Sequence, residues 1–138
     1  MLITRRAEFS ASHVCRNPAL TAEENQALYG TESNPRGHGH NFVLEVTLEG
    51  EPDPVTGMVY DLRKLKAVLD HEIIQPFDHR FLNLEVAPFD RVVPTPENLV
   101  IEIWRRLEPC FREPGAKLRA VRLYETADLY VDYDGAAL

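Results

Sequence analysis

The chain has 138 residues, a length that fits one ordinary domain, and we predict a single domain over residues 1–138. Its composition, 44% hydrophobic and 27% charged residues, excludes a disordered or fibrous chain. Twenty-two acidic residues against 15 basic ones give a net charge of −7, which excludes a general nucleic-acid or anionic-membrane binder.

The first residues of the chain and its two cysteines indicate a cellular compartment. No apolar run approaches a membrane span, and the first residues lack the apolar core of a signal peptide. The two cysteines, Cys15 and Cys110, fit neither a disulfide framework nor a four-cysteine metal site, so both are predicted to be reduced thiols. We therefore expect a cytoplasmic protein.

Two strands are predicted in the first fifty residues. Residues 2–12 alternate imperfectly between polar and apolar side chains, and residues 40–49 alternate cleanly. The apolar face of the second strand consists of Phe42, Leu44, Val46 and Leu48.

A short helix is predicted between these strands, from Thr21 to about Tyr29. Thr21 and Glu24 have the spacing of a capping box, and Gly30 offers a left-handed end. Residues 31–39 are then predicted to be a loop.

Two longer helices are predicted in the middle of the chain. Asp61 can cap the first, which is expected to end before Pro76, because proline disrupts a helix interior. Thr95 caps the second, Pro96 takes its first position and Pro109 ends it. The predicted inward faces are Leu62, Leu65, Leu69 and Ile73 in the first helix, and Leu99, Val100, Ile103, Trp104 and Leu107 in the second.

Two last strands, residues 118–126 and 129–133, complete a ββααββ order. This order predicts an α+β fold, an antiparallel four-stranded sheet with two helices packed on one face. The apolar positions of the other sheet face then need a partner subunit or solvent, which favours oligomerisation.

The sequence His38-Gly39-His40 is the strongest chemical signal. Residues two apart on a strand project to one face, so both imidazoles can reach one ion. His13 ends the first strand and is the best third ligand, ahead of His71 and His79. Three histidines leave zinc one open position, as in catalytic sites. By itself the pair is equally consistent with an exposed, hydrogen-bonded loop.

Three other polar residues, Asp78, His79 and Glu125, have two interpretations each. Asp78 could orient His79 as a proton shuttle, or both could be ordinary loop residues. Glu125 is either an exposed strand charge or a carboxylate in a pocket. His71 is read as a solvated helix residue, and the helix dipole explains Glu97.

Seven segments together resemble the 6-pyruvoyltetrahydropterin synthase family, which includes the 6-carboxytetrahydropterin synthases. They occur in the family's order over nearly the whole chain, and the animal-type synthases are the more similar. The segments are Phe9-Ser10-Ala11-Ser12-His13, Ala22-Glu23-Glu24-Asn25, Asn34-Pro35-Arg36-Gly37-His38-Gly39-His40-Asn41, Asp53-Pro54-Val55-Thr56-Gly57-Met58-Val59, Asp78-His79, Thr95-Pro96-Glu97-Asn98 and Tyr124-Glu125-Thr126.

The resemblance implies the tunnelling fold, assembled into an oligomeric barrel, commonly a hexamer of two trimers, with active sites at subunit interfaces. It implies zinc as cofactor and a dihydropterin triphosphate as small-molecule substrate. It assigns Asp78 and His79 to a proton relay, and Glu125 and Thr95 to substrate binding. The implied zinc ligands are His13, His38 and His40.

The chain departs from the animal-type pattern at one catalytic position. The family's cysteine base lies six residues before His-Gly-His, and here that position is Glu32. Cys15 is the nearby thiol that could substitute, although its spacing does not match. A glutamate can act as general base, and family members with glutamate in this region cleave the side chain of 7,8-dihydroneopterin triphosphate.

The expected function is therefore a zinc-dependent lyase that forms 6-hydroxymethyl-7,8-dihydropterin. The alternatives are 6-pyruvoyl- or 6-carboxytetrahydropterin synthase activity, a non-catalytic zinc- and pterin-binding relative, and a structural zinc site in an unrelated α+β protein. Arg16 and Arg36 flank the zinc motifs and are candidates for triphosphate binding, or else solvated loop charges.

Overall fold

A five-stranded sheet forms the body of the molecule. The computed structural model describes residues 1–112 and 115–137. The strands are β1 (Leu2–His13), β2 (His38–Gly50), β3 (Arg80–Phe81), β4 (Ala116–Thr126) and β5 (Leu129–Tyr133). The two longest, β1 and β2, pair antiparallel over residues 2–13 and 38–49, and the order across the sheet is β3-β1-β2-β4-β5.

The helices pack on one face of this sheet and enclose the core with it. The predicted α+β architecture is confirmed, including the clean alternation of β2, whose four apolar side chains are fully buried. The α-helical segments are α1 (Ala22–Tyr29), α2 (Leu62–Leu69), α3 (Gln75–Phe77), α4 (Leu82–Glu85) and α5 (Pro96–Leu107).

Capping explains where the two best-predicted helices begin. In α1 the Thr21 side chain accepts from the Glu24 N–H, and the Glu24 carboxylate accepts from the Thr21 N–H. In α5 the Thr95 side chain accepts from the Asn98 N–H, and Pro96 occupies the first turn. Both starts were predicted from these residues, because a side-chain acceptor satisfies N–H groups that the helix leaves free.

The middle helix differs from the prediction in two ways. A π-helical turn, Asp70–Ile74, joins α2 to α3, so the helical path continues through Pro76 to Phe77. The wider turn changes the hydrogen-bond register before the proline, which is how its missing N–H is tolerated. Leu62 was predicted to face inward but is 52% exposed, because it is the first residue of α2 and burial begins one turn later, at Leu65.

Four further local elements were not predicted. Residues Gly30–Ser33 form a 3₁₀ turn at the start of the predicted loop, and Arg80–Phe81 adds a short parallel strand to the edge of β1. The short helix α4 follows that strand directly. A 3₁₀ turn, Glu108–Phe111, continues from α5 through Pro109, so the α-helix ends where predicted but the helical path does not. The edge strand follows His79, whose positive φ of 58° turns the chain onto the sheet. Local alternation gives no signal for a two-residue strand.

The sheet face opposite the helices is mostly polar in its outward positions. Thr4 and Thr47 share a hydrogen bond of 2.8 Å there, and Arg122 makes two hydrogen bonds to the Asp132 carboxylate. Arg122 also lies 4.1 Å from the centroid of the Tyr130 ring. Within residues 1–112 and 115–137, no helix combines the length and apolar character needed to span a bilayer.

Candidate active site

Three histidines meet at one end of the sheet, on the face that the helices cover. His13 pairs directly with His38 across β1 and β2, and His40 lies two residues further along the same face. The ring centroids are 4.6 to 5.2 Å apart. Pairing of the first two strands was predicted from the sequence, and it brings these three side chains together.

Two glycines allow the strands to approach at this point. Gly37 has a positive φ of 74°, and a Cβ there would lie 3.3 Å from the His13 carbonyl oxygen. A Cβ on Gly39 would lie 3.2 Å from the Ala11 carbonyl oxygen. Side chains at these positions would push apart the backbone segments that carry the histidines.

His13 is fully buried and its tautomer is fixed by a backbone group. Its Nδ1 lies 2.7 Å from the Pro94 carbonyl oxygen. Because a carbonyl can only accept, Nδ1 carries the proton and the Nε2 of the neutral ring keeps a lone pair. Burial, the largest cause, lowers the pKa of His13 to about 4, against the opposing effect of the Pro94 hydrogen bond and with smaller contributions from the neighbouring His38 and His40.

The three Nε2 atoms converge without hydrogen bonds from any part of the chain that is described. All three are buried, and unpaired buried nitrogens are costly unless something binds them. Glu32 Oε2 lies 2.6 Å from His38 Nε2, but the two groups are not aligned as a hydrogen bond. One atom from each of the four side chains lies within 4.8 Å of the others. Nitrogen and carboxylate donors so arranged fit zinc.

Glu32 is held in place through its backbone. It lies in the 3₁₀ turn after α1, and its carbonyl accepts a hydrogen bond of 2.9 Å from the Cys15 N–H. This bond ties the turn to the residues that follow His13. The Glu32 side chain is 45% exposed, so its carboxylate can reach both the histidines and a bound molecule.

A second carboxylate, that of Glu125 in β4, also lies beside the cluster. Its oxygens are 3.9 Å from His13 Nε2 and 4.0 Å from His40 Nε2. Burial first, and then the charge of Glu32, raise the pKa of Glu125. Its environment is a pocket, so the exposed-strand interpretation is wrong.

The pocket next to the cluster is a cavity of about 290 Å³. Thr95 and Glu97 line it at the start of α5, opposite the 3₁₀ turn. The Thr95 hydroxyl oxygen also accepts the capping bond from Asn98, which leaves its proton free to donate. The cavity walls include Leu28, Tyr29, Pro96, Leu129 and Val131.

Cys15 also lines this cavity, but it is buried. Burial, followed by the charges of Glu32, Glu125 and Glu97, raises the pKa of its thiol to about 12. A thiol with this pKa is protonated at neutral pH and is a poor base. The geometry therefore disfavours Cys15 as a substitute for the missing cysteine.

Asp78 and His79 form a separate pair. Asp78 accepts from the Ser10 N–H at 2.8 Å, and its second oxygen lies 2.8 Å from His79 Nδ1. The Ser10 hydrogen bond, followed by His79, lowers the pKa of Asp78. The His79 side chain is 81% exposed and lines a different cavity from the one beside Glu125. Within the described residues, neither group makes a hydrogen bond or ion pair with Glu32.

The remaining predicted residues lie away from this centre. His71 is exposed on the π-helical turn beside Glu72, which agrees with assigning it no role. Arg16 and Arg36 are exposed, and neither forms an ion pair with any described residue. Arg16 lines a groove next to the site, while the triphosphate contact stays a prediction.

Two features of the site were missed from the sequence. The Pro94 carbonyl orients His13 across 81 residues of chain, and a backbone acceptor has no residue-type signature. Glu97 was explained by the helix dipole alone, yet it lines the cavity beside Glu125. Its position in the first turn of a capped helix, directly after Thr95 and Pro96, was the available signal.

The fold and this cluster define an α+β protein with a histidine-rich candidate metal centre beside a polar cavity. A protein-family model, 6-pyruvoyl tetrahydropterin synthase, matches residues 2–136. The chain belongs to the 6-pyruvoyl tetrahydropterin synthase family of lyases, has its tunnelling fold and is an enzyme of that family.

Relatives and a solved structure support this membership. The human 6-pyruvoyl tetrahydrobiopterin synthase is 44% identical over 133 residues, covering 96% of this chain and 90% of the relative. A dihydroneopterin monophosphate aldolase of Pyrococcus furiosus is 35% identical over 133 residues, covering 96% of each. The Caenorhabditis elegans 6-pyruvoyl tetrahydropterin synthase structure superimposes with a TM-score of 0.92 at 37% identity, covering 99% of this chain and 96% of that one.

Proposed function

We propose that the chain is a zinc-dependent lyase acting on 7,8-dihydroneopterin triphosphate, with His13, His38 and His40 holding the metal. The observation that carries the proposal is the convergence of three buried Nε2 atoms beside a carboxylate. Zinc held by these histidines would polarise hydroxyl groups of the substrate side chain and lower their pKa. Glu32, beside His38, would be close enough to such a hydroxyl group to take its proton.

Glu32 is proposed as the general base in place of the family's cysteine. A base must come within hydrogen-bond reach of the proton that it takes, and the Glu32 carboxylate lies beside His38 at the open edge of the cluster. The alternative base, Cys15, has a thiol pKa of about 12. A carboxylate is therefore the better-placed proton acceptor.

The proposed reaction is cleavage of the substrate side chain. Glu32 removes the proton of the 2′-hydroxyl, and the bond between C1′ and C2′ breaks. Its electron pair passes into the C6=N5 imine of the ring, and C1′ then gains a proton. The products are 6-hydroxymethyl-7,8-dihydropterin and triphosphorylated glycolaldehyde, so no oxidant or reductant is needed. A relative named as a dihydroneopterin monophosphate aldolase supports this reaction type within the family.

The cavity beside the cluster is proposed to hold the pterin ring. A carboxylate can accept two parallel hydrogen bonds from the guanidine-like edge of the amino-pyrimidine, and Glu125 is the candidate acceptor. Its burial in the cavity wall, next to His13 and His40, would place the substrate side chain toward the metal. Thr95, on the same cavity, is proposed as a further ring contact.

Asp78 and His79 are proposed to complete a neighbouring subunit's site as a proton relay. Their separation from Glu32 within one chain, on a different cavity, supports this arrangement. The proposed assembly is a homohexamer built as a dimer of trimers, with each chain contributing one domain of residues 1–138. A cytoplasmic location stays a prediction.

A second candidate function is 6-pyruvoyltetrahydropterin synthase activity. It is favoured by 44% identity to the human synthase, which exceeds the 35% identity to the aldolase. Triphosphate elimination and internal redox start from the same bound substrate, and we propose that the residue at position 32 decides between the two outcomes. A relative that binds pterin and zinc without turnover is the non-catalytic alternative.

Product analysis tests the proposal. Purified, zinc-replete protein is incubated under reducing conditions with 7,8-dihydroneopterin triphosphate, and the products are identified by mass. 6-Hydroxymethyl-7,8-dihydropterin is expected, and 6-pyruvoyltetrahydropterin would indicate the second candidate function. Binding without conversion would support the non-catalytic alternative. The variant His38→Ala should lose both bound zinc and turnover, because one of three histidine nitrogens is removed.

A further inference from the structure

The orientation of His13 depends on a tight turn centred on Pro94. The Pro94 carbonyl accepts from His13 Nδ1 at 2.7 Å. The Pro94 carbonyl shares one planar peptide group with the Thr95 N–H, so a hydrogen bond from that N–H also orients the carbonyl. The Thr95 N–H donates to the Val93 carbonyl at 2.9 Å, which closes a three-residue turn around the proline.

Asn98, in the first turn of α5, makes hydrogen bonds to the residues on both sides of Pro94. Its side-chain Nδ2 donates to the Val93 carbonyl at 2.8 Å, before the proline. Its backbone N–H donates to the Thr95 hydroxyl at 3.4 Å, after the proline. The same carbonyl of Val93 thus receives two hydrogen bonds, and one of them comes from a side chain that a single substitution can remove.

We propose that Asn98 is a positioning residue for the metal centre, acting on His13 through the Pro94 turn. This inference rests on the zinc site of the proposed function. Groups that orient a metal-binding histidine commonly change metal affinity by about 10- to 100-fold when they are lost. Asn98 acts one step further from the metal, so we expect a loss of about tenfold.

Asn98→Asp is the sharpest test, because it preserves the shape of the side chain and removes its donor. A carboxylate cannot donate to the Val93 carbonyl. Its negative charge in the first turn of α5 is favourable for the helix and attractive to a nearby cation. Weaker zinc binding therefore cannot be explained by charge or by loss of the helix. Asn98→Ala removes the same donor without adding charge.

Asn34→Asp is the matched control. The Asn34 side-chain oxygen accepts from the Arg36 N–H, so an aspartate can replace it in that role. Zinc affinity is measured for each protein by competition with a chelator of known affinity. The absorption spectrum of the Co²⁺-loaded protein reports the geometry of the bound ion, and chemical unfolding reports stability.

Asn98→Asp and Asn98→Ala should bind zinc about tenfold more weakly and alter the Co²⁺ spectrum, with Asn34→Asp unchanged. Unchanged affinity and spectrum in folded Asn98 variants would overturn the inference. Failure of both variants to fold would also overturn it, since Asn98 would then support the whole fold. A wild-type chain that binds no zinc would instead contradict the proposed function.

Discussion

The Glu32 carboxylate lies 2.6 Å from Nε2 of His38, within the group of side chains that can hold one metal ion. This short distance is compatible with two chemical roles for Glu32. Glu32 can act as a base beside an open coordination position, or it can occupy that position as a fourth ligand. The two roles make different predictions, because removal of a ligand weakens metal binding and removal of a base does not.

The variant Glu32→Gln should retain zinc and lose turnover. Glutamine preserves the size of the side chain but cannot accept a proton at neutral pH, and general base catalysis contributes about 10² to 10⁴ in rate. Metal content is measured by atomic absorption, and turnover by product formation. The exposed Glu23 of α1 provides the control Glu23→Gln, which should behave as wild type.

Two outcomes would count against this role for Glu32. Full activity in Glu32→Gln would remove Glu32 from the mechanism, and loss of zinc would make it a ligand.

A second variant, Glu32→Cys, restores the residue type of the animal-type pattern. If the residue type at this position selects the product, that variant should shift the product toward 6-pyruvoyltetrahydropterin, and an unchanged product would contradict such selection.

Glu125→Gln should weaken substrate binding more than it slows the chemical step. The glutamine amide keeps one acceptor oxygen, but it loses the negative charge and places a donor N–H against the donors of the pterin edge. The hydrogen bonds to a charged group that are lost in this way contribute about 1.5–3 kcal/mol to binding. We expect KM to rise about tenfold or more with a smaller change in kcat. Steady-state kinetics measure both constants, with Glu51→Gln in the exposed turn as control. A loss confined to kcat would contradict a binding role.

Much of the fold was predictable because local rules agree with the tertiary structure. The Thr21–Glu24 box forms both of its hydrogen bonds, and the β2 alternation matches its buried face. The spacing of His38 and His40 likewise placed both on one face. Local rules could not predict the turn at Pro94, because it contacts His13 only after the chain folds back over 81 residues.

Leu44→Ala should destabilise the protein by about 2–5 kcal/mol, because it leaves a cavity in a closely packed interior. Leu44 is fully buried at the centre of β2, between the sheet and the helices. Val55 is 90% exposed, and Val55→Ala should change the free energy of unfolding by no more than about 0.5 kcal/mol. Urea unfolding measures both variants. Equal effects would contradict the assignment of β2 to the core.

The Asp78 carboxylate should make stability depend on pH in a defined direction. Its pKa is lowered from the ordinary value of 3.8, first by the Ser10 N–H and then by His79. A carboxyl group with a lowered folded-state pKa stabilises the protein above its unfolded pKa. This contribution is lost as the pH falls through the folded-state value.

Asp78→Asn isolates that charge, because its amide oxygen can still accept from the Ser10 N–H. The difference in unfolding free energy between wild type and Asp78→Asn should therefore be largest near neutral pH. It should shrink as the pH falls below 3.8. Urea unfolding from pH 7 to pH 3, with chelator present throughout, measures the difference. Asp128→Asn, in the exposed turn between β4 and β5, should show no such trend. If the difference in unfolding free energy between wild type and Asp78→Asn stays constant across this range, the folded protein does not stabilise the charged form of Asp78.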